Sequence, residues 1–280
     1  MKLKFYGTGG GQGIPGLFCS CRVCEYARIH KGKDLRTRTQ AVIDDCLGLD
    51  FSTDTFAHHA FYGLDMRKVR HILITHPHKD HFAPWEAFGR PQGIDSVHFY
   101  TSEVTGKEIS EINARHQKAY QDGSRKKTVE FEVVQHTVEH YQTYDVLGYQ
   151  ITPMRARHHE RFGSCIYIVR KDGKSLLWGF DTGRFHDDVF EYIQDSGEKF
   201  DMVVLDCTLK ENEQITTSHM DITWCNEMKE KLIAMGAASD KTKWMLSHIG
   251  HLVDMTHEEL SERAKEFGFE VAYDGLEVEF

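Results

Sequence analysis

His71-Ile72-Leu73-Ile74-Thr75-His76-Pro77-His78-Lys79-Asp80-His81 sets four ligand-type side chains into its last six residues, directly behind an apolar run. The run Ile72–Thr75 has the length and β-branched content of a strand. His76 and His78 follow it two residues apart, and in extended chain such residues point to the same side. Two imidazoles at that spacing suit one metal ion, and Pro77 stiffens the backbone between them. Asp80 and His81 come where the chain must turn, so they point elsewhere and suit a second ion. Imidazole serves Zn, Fe, Ni and similar ions, while the carboxylate adds a hard oxygen and negative charge. A polar turn rich in histidine by accident is the plain alternative. It accounts poorly for four such residues in six positions, even in a chain with 18 histidines.

A two-ion centre needs more ligands, above all a carboxylate shared by both ions. Ligand-type residues stand at the ends of later apolar runs: His158 or His159 after Tyr149–Thr152, Asp181 after Leu176–Phe180, and His248 after Trp244–Leu246. The C-terminal end of a strand is the usual address of site residues on α/β scaffolds. Singly, each is more readily an ordinary polar residue; together they complete two coordination spheres. Further strand-like runs are Val42–Ile43, Val97–Tyr100, Ile166–Val169, Met202–Leu205 and Val271–Tyr273, and Met1–Gly7 reads as a first strand. Helical patterns cover Glu103–Ala119, Asp187–Gln194, Asp221–Met235 with Asp221 as N-cap, and Thr256–Phe267 with a capping box. Many short strands with helices between the later ones predict two packed sheets with helices outside.

Length and composition allow this. The chain has 280 residues, 40% hydrophobic and 28% charged, with 5 prolines, the profile of a globular protein. No stretch approaches the roughly 20 apolar residues of a membrane-spanning helix, and the start lacks the apolar core of a signal peptide. A cytoplasmic protein without membrane contact is expected. The formal net charge of −9 disfavours a nucleic-acid partner. Residues 1–280 are expected as one domain with an insertion or lid at about 102–144, where Asp122–Lys127 reads as a surface loop or hairpin tip.

Of 7 cysteines, Cys19, Cys21 and Cys24 are bunched. In a cytosolic chain such a cluster points to metal rather than disulfides. A structural zinc needs four ligands, and His251, three residues after His248, is the candidate fourth. Three reduced surface thiols would be an oxidation liability. Cys46, Cys165, Cys207 and Cys225 lie in apolar surroundings and read as core. Gly11-x-Gly13-x-x-Gly16 matches a dinucleotide fingerprint only formally, since Pro15 sits inside it and no amphipathic helix opens there. A glycine loop lending N–H groups to a phosphate fits better.

His76-x-His78-x-Asp80-His81, then His158, Asp181 and His248 in that order, resembles the metallo-β-lactamase superfamily over essentially the whole chain. The resemblance implies an α+β fold, an αββα sandwich of two mixed sheets with helices on the outer faces and the site at the edge between the sheets. It implies that His76, His78 and His158 bind one ion, that Asp80, His81 and His248 bind the other, and that Asp181 bridges both. His158 is preferred to His159 because the spacing of Thr152–His158 from its strand resembles the family's. Gly7–Pro15 followed by Cys-x-Cys-x-x-Cys, a late His-x-x-His and a terminal Tyr273-Asp274-Gly275 are similar to the cyclic phosphodiesterases of the bacterial carbon–phosphorus lyase pathway. That similarity implies one structural zinc on Cys19, Cys21, Cys24 and His251. A biosynthetic family of the pyrroloquinoline quinone pathway shares the cysteines without this complete hydrolytic set, and ranks lower. His219, in Ser218-His219-Met220-Asp221, matches a family histidine near the leaving group; a polar residue at a helix start is its other reading.

The expected activity is therefore a phosphodiesterase for a small, conceivably cyclic, phosphodiester. Two divalent ions (Zn, Mn, Fe or Ni) would share a hydroxide that attacks phosphorus, with Asp80 and His219 as catalytic residues. Arg155, Arg157, Arg161 or Lys79 could hold a distal phosphate. Rivals of the same fold are a thioester or lactone hydrolase and a tRNA 3′-processing nuclease. A rival of another class is a metal carrier without turnover, which has no need of an open water position. A homodimer is allowed for.

Overall fold

The computed structural model describes residues 1–89, 92–124, 126, 130–213 and 215–280. From the N-terminus its elements are β1 (Lys2–Gly7), α1 (Arg22–His30), β2 (Gln40–Ile43), β3 (Leu47–Leu49), α2 (Thr55–Tyr62), β4 (His71–Leu73), β5 (Ser96–Thr101), α3 (Glu103–Gln121) and β6 (Glu132–Thr137). There follow β7 (Tyr144–Val146), β8 (Tyr149–Arg155), β9 (Cys165–Lys171), β10 (Lys174–Gly179), α4 (Asp187–Ser196), β11 (Met202–Asp206), α5 (Ile222–Ala234), β12 (Lys243–Ser247), α6 (His257–Glu266), β13 (Glu270–Val271) and β14 (Glu277–Glu279).

Two seven-stranded sheets result. Their orders are β14-β1-β2-β3-β4-β5-β6 and β13-β12-β11-β10-β9-β8-β7. Each is mixed: β3 through β6 run parallel in the first, and β10 through β13 in the second. Strands such as β11 are buried along their whole length because both faces of the sheet are covered.

Three apolar clusters show the layering. Leu3, Phe5, Leu49, Tyr167, Trp178 and Met245 fill the space between the sheets. On the outside of the second sheet, Ala27 of α1, Val189 of α4, Met228 of α5 and Leu260 of α6 pack over Ile168, Val203 and Leu246. On the outside of the first, Ile109 of α3 joins Phe51, Ile72, Val97 and Phe99. The order of layers is helix, sheet, sheet, helix, as the resemblance implied.

Local chemistry sets the helix starts. The Asp221 carboxylate accepts from the Trp224 N–H ahead of α5, and Thr256 with Glu259 forms the expected capping box of α6. Helices α1 and α2 were not anticipated. The strand expected over Ile72–Thr75 ends at Leu73, although the Ile74 N–H still donates to the Tyr100 carbonyl at 3.0 Å. Of the segment 102–144, residues 132–137 form β6, which pairs with β5 over six registers and extends the first sheet. The loop expected at Asp122–Lys127 lies partly outside the described residues. Among the other cysteines, Cys165, Cys207 and Cys225 are buried and Cys46 is half-buried. No helix among the described residues is long and apolar enough to cross a membrane.

Candidate metal centre

The site forms where strand ends of both sheets meet. After β4 the chain turns at once: the N–H groups of His81 and Phe82 both donate to the His78 carbonyl, at 2.9 and 2.7 Å. This brings His76, His78, Asp80 and His81 inward from one loop. His158 arrives from the loop after β8, Asp181 from the end of β10, and His248 from the end of β12. Asp181 and His248 adopt φ of 47° and 55°. Non-glycine residues rarely occupy this left-handed region, and such strain gathers at functional sites.

Asp181 is the hub. Its Oδ2 lies 3.1 Å from His76 Nε2, 3.0 Å from His81 Nε2 and 3.6 Å from His158 Nε2, and its Oδ1 lies 3.4 Å from His248 Nε2. His78 Nδ1 stands 2.9 Å from His76 Nε2 and 3.2 Å from His158 Nε2. On the other side, His81 Nε2 is 3.2 Å from His248 Nε2 and from Asp80 Oδ2. The two groups His76-His78-His158-Asp181 and Asp80-His81-Asp181-His248 each keep their ligand atoms within 4.8 Å of one another. Ligands bonded at about 2.0–2.1 Å in a tetrahedron stand roughly 3.3 Å apart. The observed separations are those of donors converging on a shared cation. Asp181 Oδ1, fully buried, accepts no well-formed hydrogen bond, which leaves a lone pair for such a cation.

His158 joins this cluster and its rival does not. His159 sits at φ 38° and is exposed, its ring packed edge-on against His78 and His158 without joining the ligand group.

Residues not anticipated from sequence hold the imidazoles from behind. Asp50, wholly buried, accepts from His81 Nδ1 at 2.7 Å and from the backbone and hydroxyl of Thr75, both at 2.9 Å. Thr75 Oγ1 is also 3.0 Å from His76 Nδ1. On the other side, Thr208 Oγ1 lies 2.8 Å from His248 Nδ1 and 2.7 Å from Asp206 Oδ1, while Asp206 Oδ2 is 2.8 Å from His219 Nδ1. Partners of this kind fix which nitrogen faces the metal. Both carboxylates end apolar runs, the signal that pointed to Asp181. Asp206 directly follows Met202–Leu205, but Leu47–Leu49 ahead of Asp50 is too short to read as a strand.

The electrostatics ask for a cation. Burial and neighbouring His81 push His76 well below the usual imidazole range. For His81, burial lowers the value but Asp50, Asp80 and Asp181 outweigh it and hold the ring well above that range. Burial also opposes charge on Asp181, yet the imidazoles around it keep its carboxyl well below the ordinary range. Four buried carboxylates, Asp50, Asp80, Asp181 and Asp206, thus draw positive charge into one place, and the donor set fits divalent ions.

His219 sits at the rim, 20% exposed, with Nδ1 2.8 Å from Asp206 and 3.0 Å from Asp181. Against burial, the Asp206 and Asp181 carboxylates raise it to about 11. The N-cap of α5 is Asp221, so capping is not the role of His219. Of the cations considered for a distal phosphate, Arg155 faces His186 and Asp188, and Arg157 donates to the Arg184 carbonyl. Arg161 lies over the Phe162 ring and Lys79 is exposed.

A second cluster lies alongside. His251 Nδ1 is 3.3 Å from Cys19 Sγ and 3.5 Å from Cys21 Sγ, and Cys24 Sγ accepts from the Gly16 N–H at 3.3 Å. These four residues keep their ligand atoms within 4.8 Å, a set that fits a closed tetrahedral zinc. Burial pushes the Cys24 thiol up to about 12.

Between the two clusters runs the glycine-rich loop. It turns at Gly13 (φ 64°) against Arg36 instead of opening a helix. A Cβ at Gly10 would stand 3.1 Å from the His248 ring, and one at Gly11 3.4 Å from Asp80 Oδ2.

Comparison with known proteins agrees with this fold. Among solved structures, a diphosphatase from the PhnP family superposes with a TM-score of 0.71 at 23% identity, covering 100% of this chain and 97% of that one. Zn(2+)-bound PqqB from Methylobacterium extorquens superposes at 0.69 with 17% identity, covering 100% of both chains. Human tRNase Z, short form, superposes at 0.63 with 14% identity, covering 100% of this chain and 99% of that one. A stretch of 85 residues is 35% identical to part of the octanoyltransferase of Porphyromonas gingivalis (strain ATCC BAA-308 / W83). The match takes in 29% of this chain and spans only 16% of that curated relative. The family model described as "Beta-lactamase superfamily domain" matches residues 42–249. The chain therefore belongs to the β-lactamase superfamily domain family, and its fold is that of the metallo-β-lactamase hydrolases.

Proposed function

We propose that the protein is a metal-dependent phosphodiesterase acting on small phosphodiesters. His76, His78 and His158 would hold one divalent ion, Asp80, His81 and His248 a second, and Asp181 both. The observation that carries this reading is the position of Asp181, whose Oδ2 lies 3.0–3.6 Å from His76 and His158 of one group and His81 of the other, while its Oδ1 lies 3.4 Å from His248. When bound, such ions supply an activated water and neutralise charge growing on the phosphoryl oxygens.

The chain's own residues do the rest. Asp50 and Thr208 keep the Nδ1 atoms of His81 and His248 occupied, so that each Nε2 faces inward. Asp206 accepts from His219 Nδ1, which leaves Nε2 at the cleft to hand a proton to the departing alkoxide. Asp80 is the negative ligand that faces the glycine-rich loop. The resemblance to the carbon–phosphorus lyase phosphodiesterases supports this reading, as does the diphosphatase named among the structural neighbours. Cys19, Cys21, Cys24 and His251 would hold a structural zinc. The net charge of −9 favours a small-molecule substrate over RNA.

One observation favours a second reading. The partial likeness to an octanoyltransferase is compatible with a thioester hydrolase, whose carbonyl would meet the same ligands. The deciding experiment measures hydrolysis of bis(p-nitrophenyl) phosphate and of an octanoyl thioester by metal-loaded protein and its Asp181→Ala variant. Diester turnover lost in the variant, with the thioester untouched, supports the phosphodiesterase. Thioester turnover alone overturns it.

A further inference from the structure

The side chains around the cleft differ sharply from one end to the other. Beside Cys19 and His251 opens a cavity of about 470 Å³ lined also by Gly11, Gln12, Leu17, Phe18 and Arg38; Gly11 is the point where it borders Asp80. That volume is in the range of small-molecule sites. Leu17 is 79% exposed and Phe18 101% exposed, so two large apolar side chains stand free in water at the mouth of this cavity, next to Cys19. Among the described residues that line the cavity, Arg38 is the cation, and it is already committed. Arg38 Nη1 pairs with Asp54 at 3.0 Å, and its Nε donates to the Gly11 carbonyl at 3.1 Å. A second phosphate entering here would find a neutralised guanidinium and an apolar wall.

The opposite end, around His78, is cationic. Lys79 is exposed, and Arg161 lies 4.7 Å over the Phe162 ring, which itself packs edge-on against His78.

We propose that the Leu17–Phe18 cavity is the subsite for a planar apolar ester group of the substrate. Phe18 and Leu17 supply the apolar contacts to that group, and Arg38 holds the glycine loop in place through the Gly11 carbonyl. The preferred substrate is then a phosphodiester with one planar apolar ester group, and any further anionic group faces the Lys79–Arg161 end. This inference rests on the phosphodiesterase reading for its chemistry and on the cavity for its selectivity.

Two diesters with one leaving group test it: phenyl p-nitrophenyl phosphate and methyl p-nitrophenyl phosphate, each releasing p-nitrophenolate from metal-loaded protein. The wild-type ratio of kcat/KM, phenyl over methyl, should fall roughly fivefold to tenfold in Phe18→Ala, the size of a lost aromatic contact. The change should lie in KM. Phe61→Ala, which removes an 80% exposed ring on α2, should keep the wild-type ratio. Calorimetry gives a readout free of turnover: phenyl phosphate should bind more tightly than methyl phosphate, and Phe18→Ala should erase the difference. Turnover of both diesters with an unchanged ratio in Phe18→Ala overturns the subsite and leaves the phosphodiesterase standing. No turnover of either diester, with Phe18-dependent binding of phenyl phosphate, overturns the phosphodiesterase and leaves the subsite. Absence of both turnover and binding preference overturns both.

Discussion

Replacing Asp50 by asparagine keeps the size and shape of a wholly buried side chain and removes its charge. Asp50 sits at φ 63°, a conformation asparagine tolerates well, so the backbone should stay where it is. One carboxylate oxygen accepts from two Thr75 donors at 2.9 Å, and the other accepts from His81 Nδ1 at 2.7 Å. An amide can satisfy only one of these arrangements. Its oxygen will stay with the two Thr75 donors, which turns its NH2 toward His81 Nδ1. His81 must then accept at Nδ1 and carry its proton on Nε2, the atom 3.0 Å from Asp181. A protonated Nε2 cannot ligate. Losing an orienting partner of this kind costs about 10- to 100-fold in metal affinity, or about 1.4–2.8 kcal/mol. The loss should concern the ion that, on the proposed reading, Asp80, His81 and His248 would hold. Titration of metal-free protein with Zn²⁺ against a chromophoric chelator reads this directly: Asp50→Asn should weaken one binding step and leave a cysteine-bound equivalent tight. Unchanged affinity at every step, with the fold intact by circular dichroism, would refute the claim that Asp50 sets the tautomer of His81.

Other outcomes follow from the same geometry. His219→Ala should slow hydrolysis of a diester with an alkoxide leaving group by about 10²–10⁴-fold, yet barely affect release of p-nitrophenolate, which needs no proton; equal losses on both would remove His219 as the acid. Gly183→Ala should displace the loop bearing His219, because the new Cβ would stand 1.8 Å from the Thr217 carbonyl oxygen; activity should fall with little change in the number of bound metals, and full activity would refute the close approach. Cys19→Ser should release one zinc equivalent and lower Tm by roughly 5–10 °C, as measured by metal analysis and calorimetry; an unchanged zinc content would show that the cluster is not a site. Trp178→Ala empties the centre of the inter-sheet core, where the ring stacks 3.8 Å from Phe180, and should cost about 3–5 kcal/mol in denaturant unfolding.

The metal loop was legible because its information is local. His76, His78, Asp80 and His81 lie within six residues, so one loop behind β4 gathers all four. The capping box of α6 and the cap of α5 were readable for the same reason. Boundaries were less so: the run Ile72–Thr75 looks uniform in sequence, but the strand stops at Leu73 where the chain leaves its ladder for the site. Helices α1 and α2 went unread because tertiary packing of short apolar stretches holds them, and α1 in particular has no side-chain cap to announce it.

His158, Asp181 and His248 are marked in the sequence only by standing at the ends of apolar runs, a place they share with other polar residues, so the family's order of ligands was needed to choose them. The choice between His158 and His159 lies in the tertiary placement of the rings: His158 brings its Nε2 to Asp181, whereas His159, at φ 38°, packs its ring on the outer side of His78 and His158. Asp50 and Asp206 are further from reach. Asp50 meets His81 across 31 residues and Asp206 meets His219 across 13. What sequence alone determined was the chemistry available, a carboxylate and imidazole set suited to two divalent ions. What only the tertiary structure decided was which nitrogen of each imidazole faces inward and what each outer nitrogen leans on, because those choices are made by residues distant in sequence that neighbouring strands bring together: Asp50 after β3 with His81 after β4, and Thr208 after β11 with His248 after β12.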